Sequence, residues 1–136
     1  MRLITHLLDT QAWIWFFNRD PRARALVTAL PAEVRLGISA ITVWEAAMLE
    51  TKGRVRFHPD LASRIREMLA RNLCAVAPLL PEIAIASSQL ENFHGDPADR
   101  IIVATAKHTG STLVTADGKV LAWAATVTGR LAVLPV

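Results

Sequence analysis

The amino-acid sequence predicts an α/β protein in which helices cover both faces of a central, mostly parallel sheet. Short apolar runs of strand length alternate with longer segments whose apolar residues recur at helical spacing, along the whole chain. Connections between parallel strands are right-handed crossovers, so this alternation predicts an α/β/α sandwich. The chain has 136 residues, of which 52% are hydrophobic and 20% charged, so it can bury one core and is not disordered. We expect one domain over residues 1–136.

Five segments are predicted to be strands because each is short, apolar and followed by a turn or helix signal. The first and the fourth end at Asp9 and Asp117, and the third is the weakest because only three residues precede Pro78. The predicted strands are residues 3–8, 34–38, 75–77, 112–115 and 131–136.

Seven segments are predicted to be helices. Asp20 followed by Pro21 is typical of a helix start, and Pro31 ends that segment. Ser39 and Thr42 are both candidate caps of the third helix, and Gly110 is expected to end the sixth. The predicted helices are residues 10–17, 21–30, 42–50, 61–71, 82–90, 98–107 and 118–125.

Composition excludes several classes of protein. No apolar run approaches the roughly 18 residues that are needed to span a bilayer. The apolar stretch after Arg2 is closed by Asp9 and is too short for a secretion signal, so we expect a cytoplasmic protein. Cys74 is the only cysteine, which excludes an internal disulfide and a zinc site built from cysteines. The net charge of +3 is compatible with nucleic acid or an acidic protein partner.

Four acidic residues mark the boundaries of predicted elements. Asp9 and Asp117 directly follow the first and fourth strands, so they would project from the carboxyl edge of the sheet, where ligands of open α/β folds bind. Glu45 and Asp99 lie near the starts of two helices. Carboxylate oxygens are the ligands that Mg²⁺ and Mn²⁺ prefer, and such a cluster without a cation would repel itself and raise its own pKa values. A metal site at this edge is one interpretation.

Each of these acids also has a purely structural explanation. Glu45 has capping-box spacing from Thr42, and Arg100 would be a surface ion-pair partner for a neighbouring acid. Turn or helix-capping roles would account for Asp9, Asp96, Asp99 and Asp117.

The order and local context of the acids favour the interpretation as a metal site. The blocks that carry a family pattern are Leu7-Leu8-Asp9-Thr10, Ser39-Ala40-Ile41-Thr42-Val43-Trp44-Glu45, Gly53-Arg54-Val55, the run from His94 to Ala106, and Leu113-Val114-Thr115-Ala116-Asp117. In this order they closely resemble the PIN-domain family and, within it, the VapC type of toxin from type II toxin–antitoxin systems. The resemblance covers nearly the whole chain. Its most specific parts are Asp-Pro-Ala-Asp-Arg at 96–100 and Thr-Ala-Asp at 115–117.

The resemblance implies a PIN-like nuclease domain: a Mg²⁺- or Mn²⁺-dependent ribonuclease that cuts RNA, is neutralised by a cognate antitoxin protein and forms a homodimer. The residues that match the family's catalytic and metal-holding acids are Asp9, Glu45, Asp99 and Asp117. Supporting positions are matched by Thr10, Asp96, Arg100 and Thr115. The family's hydroxyls typically orient a carboxylate or water, and Arg100 would contact a substrate phosphate or pair with an acid. Gln11 stands where many relatives have histidine or asparagine.

Other groups of residues give weaker indications of function. The four histidines have no paired metal-ligand spacing, so His94 is predicted to be a turn or packing residue. Serine-hydrolase, P-loop and dinucleotide-binding motifs are absent from the sequence. Trp15 belongs to an aromatic-rich helix and would suit a homodimer or antitoxin contact. Two rival hypotheses stay open: a non-catalytic module that binds RNA or protein, and a nuclease that acts on DNA.

Overall fold

A five-stranded, wholly parallel sheet forms the centre of the molecule. The computed structural model describes residues 3–126 and 132–135. The strands are β1 (His6–Leu8), β2 (Leu36–Ser39), β3 (Ala75–Ala77), β4 (Thr112–Thr115) and β5 (Val133–Pro135). They lie in the order β3-β2-β1-β4-β5, and each neighbouring pair is parallel. The strand that comes first in the chain therefore lies in the middle of the sheet.

Helices connect the strands, as parallel pairing requires. They are α1 (Thr10–Phe17), α2 (Ala23–Ala29), α3 (Ala40–Thr51), α4 (Leu61–Ala70), α5 (Pro81–Ser88), α6 (Pro97–Thr109) and α7 (Gly118–Thr126). Two helices follow each of β1, β2 and β3, and α7 follows β4. The predicted α/β class with helices around a parallel sheet is confirmed. In the part of the chain that the structure describes, no helix is long and apolar enough to cross a membrane.

The core consists of two apolar clusters on opposite faces of the sheet. Successive side chains of a strand point to opposite faces, and β1 shows this directly. Leu8 belongs to the cluster that contains Trp13 from α1, whereas Leu7 belongs to the cluster that contains Ile102 from α6. Leu7, Leu8 and Trp13 are completely buried. Packing on both faces holds the helices in place and fixes the position of the strand ends.

Gly37 in β2 allows the chain before β1 to pass close to the sheet. A β-carbon at Gly37 would lie 2.5 Å from Cδ1 of Ile4 and 2.8 Å from its Cγ1 and Cγ2. Ile4 is buried against the second cluster. A side chain at position 37 is therefore incompatible with the packing of Ile4 as it stands.

Some element boundaries differ from the predicted ones. The strand predicted from residue 3 begins at His6. The helix predicted from residue 21 begins at Ala23, because the Asp20 carboxylate accepts the Arg22 N–H and forms a turn first. The final strand occupies Val133–Pro135, and residues 131 and 136 of the predicted strand lie outside the described residues.

The predicted capping box of Thr42 and Glu45 is wrong. Ser39 is the N-cap of α3, and its hydroxyl oxygen accepts the N–H of Ile41 at 3.2 Å. Thr42 is completely buried within the helix, so it caps nothing. The side chain of Glu45 is consequently free to make tertiary contacts.

Candidate active site

Asp9 lies at the carboxyl end of β1, where its carboxylate is held from two sides. It is the N-cap of α1, and its Oδ1 accepts the backbone N–H of Ala12 at 2.9 Å. Its Oδ2 accepts the hydroxyl of Thr115. Burial, together with the nearby charges of Asp99 and Asp117, raises the pKa of Asp9 to about 6, against the lowering effect of these two hydrogen bonds. Asp9 is therefore a helix cap and a member of an acidic cluster.

Thr115 and Asp117 come from the end of β4, which pairs directly with β1. The buried Thr115 hydroxyl oxygen also accepts the backbone N–H of Asp117 at 3.0 Å. Oδ1 of Asp117 in turn accepts the N–H of Lys119 at 2.8 Å, at the start of α7. Because β1 and β4 are adjacent and parallel, Asp9 and Asp117 lie at the same edge of the sheet.

Glu45 enters the site from α3. Its Oε1 accepts the hydroxyl of Thr10, and the Thr10 oxygen lies 3.1 Å from the Thr42 hydroxyl. Because Thr10 gives its single hydroxyl proton to Glu45, Thr42 is the donor in the second contact. Burial raises the pKa of Glu45, the Thr10 hydrogen bond opposes this, and the nearby charge of Asp99 adds to the increase.

Asp96 and Asp99 belong to the start of α6. Asp96 is exposed and is the N-cap, with its Oδ1 accepting the N–H groups of Ala98 at 2.9 Å and of Asp99 at 3.3 Å. Asp99 lies in the first turn and is only partly exposed. Burial raises the pKa of Asp99, and a hydrogen bond with His94 opposes that increase. Asp96 therefore caps the helix, whereas Asp99 faces the other acids.

His94 is a site residue that sequence reasoning missed. Its Nε2 lies 2.8 Å from Oδ2 of Asp99, and its ring stacks on Phe93 with 4.2 Å between centroids. One potential ligand atom from each of His94, Asp99 and Asp117 lies within 4.8 Å of the others. The prediction of a mere turn or packing residue was too narrow. The sequence does contain an indication of this contact. His94 directly precedes the turn at residues 95–97, and this turn brings its side chain back to the first turn of α6.

Of the two roles expected for Arg100, pairing with an acid is not seen among the described residues, and contact with a substrate phosphate stays a prediction. In the part of the chain that the structure describes, it forms no ion pair with an acid. Its guanidinium instead donates to four backbone carbonyls, those of Ser87 at 3.1 Å, Leu90 at 3.5 Å, Phe93 at 2.9 Å and His94 at 3.0 Å. Arg100 therefore fastens the connection between α5 and α6, which carries His94.

The site acids are close enough to affect one another's pKa values. The charge of Asp99 raises the pKa of both Asp9 and Glu45, and the charge of Asp117 raises that of Asp9 and of Asp99. No lysine or arginine within residues 3–126 and 132–135 is paired with any of them. A divalent cation would offset this repulsion, and oxygen donors suit a hard ion. The donor set therefore fits a metal site, although Asp9 and Glu45 lie outside the 4.8 Å group.

Gln11 and Trp15 on α1 contribute little to this cluster. Gln11 is exposed beside Thr10, so it is not part of the buried group of side chains. The ring of Trp15 is covered by the guanidinium of Arg22, with 4.4 Å from the guanidinium carbon to the ring centroid. Arg22 is also paired with Asp20 at 2.7 Å.

A separate cavity of about 1130 Å³ lies between α1, α2 and α4 and includes none of the site acids. We call it the basic groove. Its apolar lining includes Phe16, Phe17, Val27, Met68 and Leu73. Its charged lining consists of Arg19, Arg24, Arg56, Arg64 and Arg71 against Asp20 and Glu67. The groove therefore combines apolar surface with a net positive rim.

Comparison with known proteins identifies the family of the chain. The family model described as PIN domain matches residues 6–124. Ribonuclease VapC22 of Mycobacterium tuberculosis is 32% identical over 117 residues, which is 85% of this chain and 88% of the relative. Of the solved structures, a toxin–antitoxin complex from Klebsiella pneumoniae has a TM-score of 0.64 at 23% identity, over 96% of both chains.

A second solved structure, VapBC2 from Rickettsia felis bound to a promoter DNA fragment, has a TM-score of 0.71 at 16% identity, over 98% of this chain and 99% of that one. At these identities the two structures show a shared fold. The family model spans most of the chain, including all four acids, and VapC22 is similar over nearly the same range. The chain belongs to the PIN-domain family and, within it, to the VapC type.

Proposed function

We propose that this chain is a metal-dependent endoribonuclease that hydrolyses RNA phosphodiester bonds and acts as the toxin of a toxin–antitoxin pair. The observation that carries the proposal is the convergence of four acids from different elements at one sheet edge of a PIN-domain chain. These acids are Asp9, Glu45, Asp99 and Asp117. The name of the relative VapC22, a ribonuclease, supports RNA as the substrate.

The four acids would hold one or two Mg²⁺ or Mn²⁺ ions. Bound metal supplies a water of lowered pKa and neutralises charge that develops on the phosphodiester. The chain itself holds the carboxylates: Thr115 fixes Asp9, and Thr10 fixes Glu45. Because burial raises the pKa of Asp9 to about 6, metal binding below about pH 6 is expected to release a proton from it.

The experiment that tests this activity compares substrates and metals with one matched pair of variants. Purified protein is incubated with labelled single-stranded RNA or DNA of equal sequence, in Mg²⁺, Mn²⁺ or EDTA. Asp9→Asn should abolish RNA cleavage without unfolding the chain. Asp60→Asn is the control, because Asp60 is an exposed N-cap of α4 and asparagine caps equally well.

The outcomes separate the rival functions. Cleavage of RNA that requires metal and Asp9 supports the proposal. RNA retained without products, even in Mn²⁺, would identify a binding-only module, and preferential cleavage of DNA would identify a DNA-directed nuclease. Unchanged cleavage by folded Asp9→Asn protein would contradict the proposed mechanism.

The antitoxin is the second part of the proposal. The Klebsiella and Rickettsia neighbours were solved as toxin–antitoxin complexes, which supports a protein partner for this chain. An acidic, amphipathic antitoxin segment would match the apolar lining and positive rim of the basic groove. The test is co-purification with the product of the gene immediately upstream. Val27→Asp, in the groove, should reduce recovery of that product, whereas Ile85→Asp, equally exposed but elsewhere, should not.

We further infer one domain over residues 1–136, a cytoplasmic location and a homodimer. Exposed apolar side chains support the dimer, among them Trp44 at 58% of its free accessibility. Light scattering of the purified chain measures its mass in solution, and a monomer at micromolar concentration would contradict the dimer.

A further inference from the structure

The connection between α5 and α6 is fastened to the protein at several points. We call residues 89–96 the α5–α6 loop. In addition to the hydrogen bonds from Arg100, the indole N–H of Trp123 donates to the carbonyl of Glu91 at 2.8 Å. Phe93 is buried and meets the Trp123 ring edge-on, with 4.9 Å between centroids. A loop held this firmly is suited to present one side chain at a defined position.

That side chain is His94. Its ring plane is set by stacking on Phe93, and its backbone carbonyl accepts the Nε–H of Arg100 at 3.0 Å. Its Nε2 is 2.8 Å from Oδ2 of Asp99, with 22% and 25% of the two side chains exposed. The contact is thus partly shielded from water and geometrically constrained on the histidine side.

The contact completes a pattern among the site acids. Three of the carboxylates each receive a hydrogen bond from one side chain of another element or loop. Asp9 receives it from Thr115, and Glu45 receives it from Thr10. His94 is the corresponding partner of Asp99, the acid whose neighbours include both Asp96 and Asp117.

We propose that His94 is a positioning residue of the metal site: its Nε2–H donates to Oδ2 of Asp99, restricts rotation of that carboxylate, and leaves the other oxygen for the cation. Arg100 holds His94 in place through its backbone. The inference rests on the proposed function, since it assigns a role within the same site. A direct metal ligand would use Nε2 for the ion, so the two roles exclude each other at this atom.

The test is calorimetric binding of Mn²⁺ to the purified chain of 136 residues, without substrate. Glutamine places an amide nitrogen near the Nε2 position of histidine, whereas asparagine is too short to reach Asp99. His94→Asn and His94→Ala should therefore weaken Mn²⁺ binding by about 10- to 100-fold, the usual effect of losing such a partner. His94→Gln should stay within about threefold of the unmodified chain, because the donor is kept. His108→Gln, an exposed histidine on α6, is the matched control.

The results decide between three situations. Weak binding by the asparagine and alanine variants with rescue by glutamine supports positioning. Equal losses in all three variants would show that the imidazole itself ligates the metal and would overturn the proposal, as would unchanged affinity in the asparagine and alanine variants. If the unmodified chain binds no Mn²⁺, the proposed function fails, which is distinguishable from a failure of the role of His94. Circular dichroism confirms that each variant is folded.

Discussion

The hydroxyl of Thr115 donates a hydrogen bond to the carboxylate of Asp9, joining residues 106 positions apart in the sequence. Asp9 follows β1 and Thr115 ends β4, so this one contact links strand pairing to the geometry of the acidic site. Thr115 is completely buried, and its oxygen also accepts the N–H of Asp117. The side chain is therefore shared between two of the four acids.

Thr115→Val keeps the shape of the side chain and removes the hydroxyl. We expect kcat for RNA cleavage to fall by about 10- to 100-fold, because Asp9 loses the group that orients it. The free energy of unfolding should fall by about 1–3 kcal/mol, because a buried carboxylate and a backbone N–H lose their partner. Steady-state kinetics and urea denaturation measure the two effects. Thr28→Val, which removes an exposed hydroxyl on α2, should leave both unchanged.

The raised pKa of Asp9 predicts that the metal-free chain becomes less stable as the pH rises. The folded state holds the Asp9 proton up to about pH 6, whereas the unfolded chain loses it near 3.8, so folding binds a proton between these values. The stabilisation that Asp9 contributes is fully present below the lower value and is lost above the higher one, a change of roughly 3 kcal/mol at 1.36 kcal/mol per pKa unit. Urea denaturation in EDTA across this range measures the slope.

Asp9→Asn isolates the contribution of Asp9 to that slope. The variant cannot titrate at this position, so its stability should depend less steeply on pH. A shallower slope of the same sign should remain, because the pKa values of Glu45 and Asp99 are also raised in the folded state. Identical slopes for the two proteins would show that Asp9 does not titrate as described.

Divalent metal should stabilise the folded chain. A ligand that binds only the folded state at 100 times its Kd adds about 2.7 kcal/mol. We therefore expect Mn²⁺ to raise Tm, as measured by differential scanning calorimetry against EDTA. Asp117→Asn should show a much smaller increase, whereas Glu82→Gln, an exposed acid on α5, should respond like the unmodified chain. Equal increases in all three proteins would place the bound ion elsewhere.

Gly37→Ala should lower the free energy of unfolding by about 1–3 kcal/mol, the usual cost of overpacking. The added methyl group would meet Ile4, whose nearest atom is 2.5 Å from the new position. Gly118→Ala is the control, because a β-carbon there meets no atom within 4 Å among the described residues, apart from its chain neighbours and its own helix. Ile4→Val in the Gly37→Ala background should recover part of the loss if contact with Ile4 is its cause.

Much of the fold was predictable because its signals are local. Apolar runs followed by aspartate predicted β1 and β4, and glycine in the left-handed conformation at position 110 ends α6 as expected. The resemblance to a known family added the prediction that the four acids belong to one site. The capping box was predicted from the spacing of Thr42 and Glu45. It is wrong because the Glu45 carboxylate instead accepts a hydrogen bond from Thr10, which belongs to another helix.

The part of the site that was not predicted depends on contacts that form only in the folded chain. His94 and Asp99 meet only because the turn between them reverses the chain, and sequence spacing of metal ligands does not report such a contact. Arg100 beside an acid suggested an ion pair, yet the carbonyls of the preceding loop are closer partners for its guanidinium. Tertiary competition for hydrogen bonds decided both cases.

The central position of β1 has a consequence for synthesis of the protein. β1 emerges from the ribosome before the other described strands, yet it pairs with β4, which begins only at Thr112. A nascent chain that ends before α6 has made Asp9 and Glu45 but neither Asp99 nor Asp117. The complete set of acids exists only once Asp117 has been translated. On the proposed function, an incomplete translation product of this toxin would be harmless to the cell that makes it.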